Sequence, residues 1–224
     1  MTKKKVYILS PDLGVRGMFW QKKDKYEVIT DLTHNEPDLI VFTGGADVDP
    51  SMYGEEKLPE TSSNIERDNR EKKIFDEFKN VPKVGICRGG QFLNVMSGGK
   101  MWQHVNNHSG NHKMINLLKT DFLTEDEITV SSTHHQMMIA GNDGHVIGIA
   151  MNADKTAGRA TDYVSAIPRM TPKYDTEVVW YDGTKSLCFQ GHPEYNSNEG
   201  MTNYFFKLLD HFFFPEYIPI HKVV

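Results

Sequence analysis

Cysteine is almost missing from this chain of 224 residues, which has two, Cys87 and Cys188. Two thiols with no recognisable leader exclude a disulfide-built secreted scaffold and fit a reducing cytoplasm. Excess positive charge is missing too. Lysine and arginine total 25 against 30 acidic residues, a net charge of −5, which excludes a nucleic-acid binder relying on general phosphate attraction. Long apolar runs are absent. Val6 to Leu9, behind Lys3-Lys4-Lys5, is too short for a signal peptide, and Lys207, Asp210 and His211 interrupt the richest stretch, Tyr204 to Phe214. Nothing approaches the roughly 20 apolar residues that span a bilayer. A cytoplasmic chain with neither membrane nor nucleic-acid partner is expected. Its length suffices for one sizeable α/β domain, residues 1–224, without disulfides or metals.

What is there concentrates in Lys83-Val84-Gly85-Ile86-Cys87-Arg88-Gly89-Gly90-Gln91. A short apolar strand runs into a cysteine with glycine two before and two after, and a helix-compatible run, Phe92 to Met96, follows. Gly-x-Cys-x-Gly is the thiol counterpart of the nucleophile elbow. The glycines leave room where strand and helix crowd together, and the helix N-terminus directs its N–H groups at whatever the sulfur attacks. The plain alternative is a core cysteine in a strand.

Short apolar runs alternate with polar, helix-compatible stretches, the signature of βαβ units and a mostly parallel sheet. Strands are predicted at Val6–Leu9, Tyr26–Ile29 and Leu39–Phe42, the last ending in Thr43-Gly44-Gly45. Asn64 caps a predicted helix from Ile65 to Lys79, and the helix after the elbow stops at Gly98-Gly99. Ile128–Val130 and His145–Ile149 read as strands, with Gly141-Asn142-Asp143-Gly144 as a turn. Glu177–Tyr181 and Ser186–Gln190 form a hairpin around Asp182-Gly183-Thr184. A last helix, Asn198 to Phe213, carries Met201, Tyr204, Phe205, Leu208, Leu209 and Phe212 on one face.

A cysteine nucleophile needs a base, and the base an orienting group. Gly191-His192-Pro193-Glu194 offers both. Pro193 biases His192 toward extended backbone, where residues two apart share a side, so Glu194 can hold one ring nitrogen while the other faces Cys87. Taken alone, the tripeptide reads equally as a solvated strand-end turn.

Together these segments resemble the class I glutamine amidotransferase superfamily, and within it the gamma-glutamyl hydrolase group that includes gamma-glutamyl-gamma-aminobutyrate hydrolases. Phe42-Thr43-Gly44-Gly45 with Asp49-Pro50-Ser51-Met52-Tyr53-Gly54, Arg67-Asp68, the elbow through Val95, Ser131-Ser132-Thr133-His134-His135-Gln136, and Gln190 through Ser197 occur in the family's order. The resemblance implies a three-layer, flavodoxin-like α/β sandwich with its site at the carboxyl ends of the strands. It implies that Cys87 attacks a gamma-glutamyl amide to give a thioester, that His192 shuttles the proton with Glu194 as its orienter, and that the backbone N–H groups of Gly45 and Arg88 form the oxyanion hole. Gly44, Gln91, His134 and His135 would contact the substrate. No cofactor is implied. The alternative within the superfamily is a glutaminase subunit passing ammonia to a separate synthetase. Arg88 and the lack of a fused synthetase segment favour the free-standing hydrolase. A third reading is a member that has lost turnover and serves as a binding protein. The chain departs from the family at Gly191, where an aromatic residue is usual, and in the shortness of Ser10 to Lys25 and Met101 to Leu123.

His104, His108 and His112, spaced by four, would stack on a helix as metal ligands, but Asn106, Asn107, Ser109, Gly110 and Asn111 make a poor helix, and no metal is expected. Cys188 reads as core. The loop Ala46 to Glu60 reads as a rim or lid whose Asp47, Asp49, Glu55 and Glu56 repel anions or simply face solvent. The aromatic tail Phe212 to Tyr217 would suit a contact between copies of the chain.

Overall fold

The computed structural model describes residues 2–151, 162–195 and 199–217. In chain order the elements are β1 (Lys4–Ile8), α1 (Leu13–Gln21), β2 (Tyr26–Ile29), β3 (Leu39–Phe42), α2 (Ile65–Glu77), β4 (Lys83–Ile86) and α3 (Arg88–Met96). Next come β5 (Lys100–Trp102), β6 (His104–Val105), β7 (Ser109–Asn116), β8 (Glu127–Thr133) and β9 (Met137–Ile139). The chain closes with β10 (His145–Met151), β11 (Tyr163–Val164), β12 (Tyr174–Tyr181), β13 (Ser186–Phe189) and α4 (Glu199–Phe212). Nine strands form one sheet in the order β2-β1-β3-β4-β13-β12-β10-β7-β8.

The sheet has two characters. From β2 to β13 every neighbouring pair is parallel. From β13 to β8 every pair is antiparallel. The parallel block is the expected core, and the antiparallel half extends it. Strands β3, β4 and β13 are buried at every residue, as parallel strands covered on both faces must be. Helices α1 and α4 cover one face through Val15, Met18, Phe19, Met201, Tyr204, Phe205, Leu208 and Leu209. Helices α2 and α3 cover the other through Phe75, Phe92, Leu93 and Val95. Each large apolar side chain so buried contributes about 1.5–3 kcal/mol. Among the described residues, no helix is long and apolar enough to cross a membrane.

Local sequence accounts for most of these elements. Asn64 caps α2 by accepting from the Arg67 N–H. Lys83, fully buried at the start of β4, donates to the carbonyls of Phe78 and Val81 beyond the end of α2 at 2.7 and 2.9 Å, so helix exit and elbow strand are joined. Burial pushes its ammonium down to about 8. The hairpin of β12 and β13 pairs Val178 with Phe189 and Tyr181 with Ser186.

Ser10 to Lys25 contains α1, capped by Asp12. His104 lies on β6, His112 on β7 and His108 in the connection between them, so, as expected, the three do not stack on a helix. The loop from Ala46 to Glu60 holds a short 3-10 turn, Pro50–Tyr53, and Asp47, Asp49 and Glu55 are used internally, while Glu56 is exposed. Asp47 pairs with His135 and accepts from the Ser62 N–H, Asp49 accepts from Ser51 and Ser63, and Glu55 pairs with Arg169. A loop fastened at this many points is a braced rim. In the tail, Phe214 is buried against Tyr26, as is Tyr217 in part, so these aromatics pack inward. Asn196, Ser197 and Asn198 lie outside the described residues.

Candidate functional site

Three strands adjacent in the sheet, β3, β4 and β13, end side by side and run parallel. The segments that follow them carry Gly44-Gly45, Cys87 and His192. Topology thus gathers residues about a hundred positions apart at one edge.

Cys87 sits between β4 and α3 with φ 51° and ψ −114°, a left-handed backbone for a residue with a side chain. Such a conformation costs of order 1–3 kcal/mol and persists only where its surroundings enforce it. They do so here. A Cβ on Gly85 would overlap the backbone of Gly89, and one on Gly89 would overlap the carbonyl of Phe42. Only glycines let strand, elbow and helix approach this closely. The Cys87 N–H is held by the Phe189 carbonyl at 2.8 Å. The N–H groups of the first helical turn have no intrahelical acceptor, and Arg88 is the first residue of α3.

The imidazole of His192 lies beside the Cys87 sulfur, and Glu194 Oε1 lies 2.6 Å from His192 Nδ1. The backbone N–H of His192 donates to Ser131 Oγ at 2.9 Å. The Tyr195 ring stacks on the imidazole, centroids 4.5 Å apart and planes 3° from parallel. Burial opposes charge on His192, but the hydrogen bonds and charges of Cys87 and Glu194 outweigh it and push the ring up to about 10. The imidazole is therefore protonated at neutral pH and sits against the sulfur. Gly14 of α1 backs Glu194, since a Cβ there would stand 3.1 Å from Glu194 Cγ.

The Gly44-Gly45 turn has its own scaffold, and sequence reasoning overlooked it. Gly45 has φ 139°, and a Cβ on it would collide with the Arg67 guanidinium. Arg67 donates to the carbonyls of Gly44 and Thr43, both at 3.0 Å, and to Glu71 at 2.7 Å. Glu71 also pairs with Arg88, whose guanidinium pairs with Asp68 and donates to the Ala46 carbonyl at 3.1 Å. Asp68 in turn accepts from the Asp49 N–H at 2.8 Å. Two arginines and two carboxylates of α2 and α3 thus clamp the elbow to the glycine loop. The Arg88 side chain belongs to this clamp, while its N–H belongs to the helix N-terminus. The pair Arg67-Asp68 was visible as a motif. The i to i+4 partner Glu71 was the available signal for the rest.

Beside Cys87 lies a cavity of about 200 Å³ lined by Gly45, Ala46, Asp47, Ser62, Cys87, Arg88, Gln91, Thr133, His134, His135 and Gln136. This is below the usual 300–1,000 Å³ of drug-sized pockets and suits a ligand of amino-acid dimensions. Of the predicted residues, Gly45, Cys87, Arg88, Gln91, His134 and His135 line it together, and Gly44 packs against His192. The Gln91 amide is already engaged, donating to the Gln136 carbonyl at 3.1 Å and to Gln190 at 3.2 Å. Gln190 itself lies 3.9 Å from the Cys87 sulfur. His134 is buried and donates through Nδ1 to the Gln136 carbonyl at 2.8 Å. Burial pushes its ring down to about 4 despite the Glu177 carboxylate. At Gly191 a Cβ would meet Met201 Sδ at 3.1 Å and Phe189 at 3.2 Å, so neighbouring side chains fill the space an aromatic residue would need. Cys188 is wholly buried on the other face of the sheet, with its thiol pushed up by burial.

A sheet edge of this topology with a cysteine elbow defines the class I glutamine amidotransferase-like fold. The chain superposes on a glutamine amidotransferase from Thermotoga maritima with a TM-score of 0.59 at 17% identity, over 98% of this chain and 87% of that one. A candidate GMP synthase subunit from Thermoplasma acidophilum gives a TM-score of 0.63 at 15% identity, over 95% of each. These likenesses are of fold. The family model for Peptidase C26 matches residues 13–163, and the chain belongs to that family. The candidate glutamine amidotransferase Rv2859c of Mycobacterium tuberculosis is 40% identical over 69% of this chain and 50% of its own length. The glutamine amidotransferase-like protein YvdE of Lactococcus lactis, also a candidate, is 42% identical over 34% of each. The chain spans half or less of the length of these curated relatives.

Proposed function

We propose that the protein is a cysteine hydrolase that cleaves a gamma-glutamyl amide to glutamate and an amine. The observation that carries this reading is the placement of His192 between the Cys87 sulfur and the Glu194 carboxylate beside a small cavity. In this reaction the Cys87 thiolate attacks the amide carbonyl, and the negative oxygen of the tetrahedral adduct is met by the N–H groups of Gly45 and Arg88. One such donor is typically worth ~10²–10³ in rate. His192 gives its proton to the departing nitrogen, leaving a thioester on Cys87. Water then adds to the thioester as His192 takes up its proton, and glutamate leaves with the thiolate restored. Glu194 holds the ring so that one nitrogen faces the sulfur throughout. Gln91, His134 and His135 surround the glutamyl group, and the limited cavity favours a compact acyl portion with the amine toward solvent.

The test is a screen of gamma-glutamyl amides, glutamine included, read as glutamate released. The expected outcome is steady turnover by the wild type and loss of about 10⁴-fold or more in Cys87→Ser, as for triad nucleophiles generally. Glutamine turnover that starts only on adding a synthetase would replace this reading with that of an ammonia-donating subunit. Glutamate release unaffected by Cys87→Ser would overturn it.

A further inference from the structure

Behind the cavity, the lining residue His134 converges with His108 and Glu177, two buried side chains that the proposed hydrolysis does not use. His108, His134 and Glu177 each offer one ligand atom, and these atoms lie within 4.8 Å of one another. All three residues are buried, Glu177 to 1% exposure. Among the described residues, both ring nitrogens of His108, His134 Nε2 and Glu177 Oε2 have no hydrogen-bond partner. Orphaned polar atoms this deeply buried are costly, more so where charged, and their convergence at one point calls for an occupant.

The surroundings are built as a metal's outer shell is built. His134 donates Nδ1–H to the Gln136 carbonyl, which leaves the lone pair on Nε2 facing the cluster, the tautomer a ligating histidine adopts. Glu177 Oε1 is held by His112 Nε2 at 2.9 Å, freeing Oε2. His108 Nε2 stands 3.1 Å from Asp175 Oδ2, and Asp175 Oδ1 accepts from the Tyr163 hydroxyl. His134 and Glu177 are thus each steered by a second residue, and His108 has the Asp175 carboxylate beside it without a hydrogen bond. A tetrahedral ion with bonds of about 2.1 Å sets its ligand atoms about 3.4 Å apart. These three would close on it by less than about 1 Å each.

The geometry points to a binding site for one divalent ion of the zinc class, ligated by His108, His134 and Glu177, with a fourth position for water. Two imidazoles and a carboxylate suit zinc, cobalt or nickel rather than magnesium or calcium, which prefer all-oxygen shells. The ion would hold the loop that walls the cavity. The Gln136 carbonyl accepts from both His134 and Gln91, and Gln190 Nε2 reaches toward the Cys87 sulfur. The role is one of fixing that wall, and no bond of the substrate is made or broken at the ion.

Zinc also binds thiolate–imidazole pairs, so the experiment uses the full chain carrying Cys87→Ser, freed of metal by chelator dialysis. Zinc is titrated in competition with a chromophoric chelator. One zinc per chain is expected, with affinity reduced at least about tenfold by adding Glu177→Gln or His108→Asn. Absence of stoichiometric binding in Cys87→Ser, or binding equal in all three proteins, overturns the proposal. Should the added substitutions impair folding, ring-proton NMR of the Cys87→Ser protein decides. Zinc is expected to shift the His108 and His134 signals and leave His34 and His211 in place, and the reverse pattern refutes the site.

Discussion

At the scale of the residue, the proton on His192 is the most consequential feature. Its ring is pushed up to about 10 against the penalty of burial, because the Cys87 sulfur and the Glu194 carboxylate both face it. An unfolded histidine titrates near ~6.5. The stability this group contributes is therefore fully present below that value, and is lost as pH rises through about 10. Replacing Glu194 by Gln removes one of the two supports. The His192 ring in Glu194→Gln is expected to lose its proton at lower pH than in the wild type, with the alkaline limb of acylation moving the same way. Ring NMR across pH 6 to 11 checks this, and an unmoved titration would show that Glu194 does not set the charge. The strained Cys87 and its flanking glycines were legible in the chain because such crowding admits no other residue. The bond from His192 N–H to Ser131 was not, since it joins segments remote in sequence.

At the scale of the element, the clamp between α2 and α3 holds the glycine loop against the elbow. Removing one member of a buried ion network is costlier than never having built it, since the partners stay behind uncompensated. Arg88→Met leaves Asp68 and Glu71 facing each other in a dry interface. A loss of about 3–5 kcal/mol is expected, measured by urea unfolding at neutral pH. A change below 1 kcal/mol would mean the carboxylates find water or a proton cheaply. Legibility varied by element for physical reasons. β2, β3, β4, α2 and α3 announced themselves through continuous apolar runs, a capping asparagine or the elbow. α1 did not, because Gly14 and Gly17 interrupt it and Leu13 and Trp20 stay exposed at 83% and 66%, so no clean stripe forms. β7 is mostly polar, Ser109 to Asn116, and takes its conformation from pairing with β8 and β10. That signal is absent from its own residues.

At the scale of the whole molecule, the sheet divides the two thiols. Cys87 belongs to the packing on the α1 and α4 side, and Cys188 to that on the α2 and α3 side. Iodoacetamide at neutral pH is expected to modify Cys87 alone in the native protein and both cysteines in urea, with peptide mass spectrometry as the readout. Labelling of Cys188 first would contradict the packing. The candidate site was readable through the motifs that close β3, β4 and β13, but the parallel pairing of β13 with β4 was not, since β5 to β12 lie between them in sequence. The antiparallel extension was only half readable, since its registers are fixed by partners rather than by local pattern.

That division also governs damage by peroxide. Sulfenic acid formed on Cys87 meets no second thiol of its own chain on the near side of the sheet, so it cannot retreat into an internal disulfide. Unless a small external thiol caps it, the next steps lead to sulfinic and sulfonic acids, from which the nucleophile does not return.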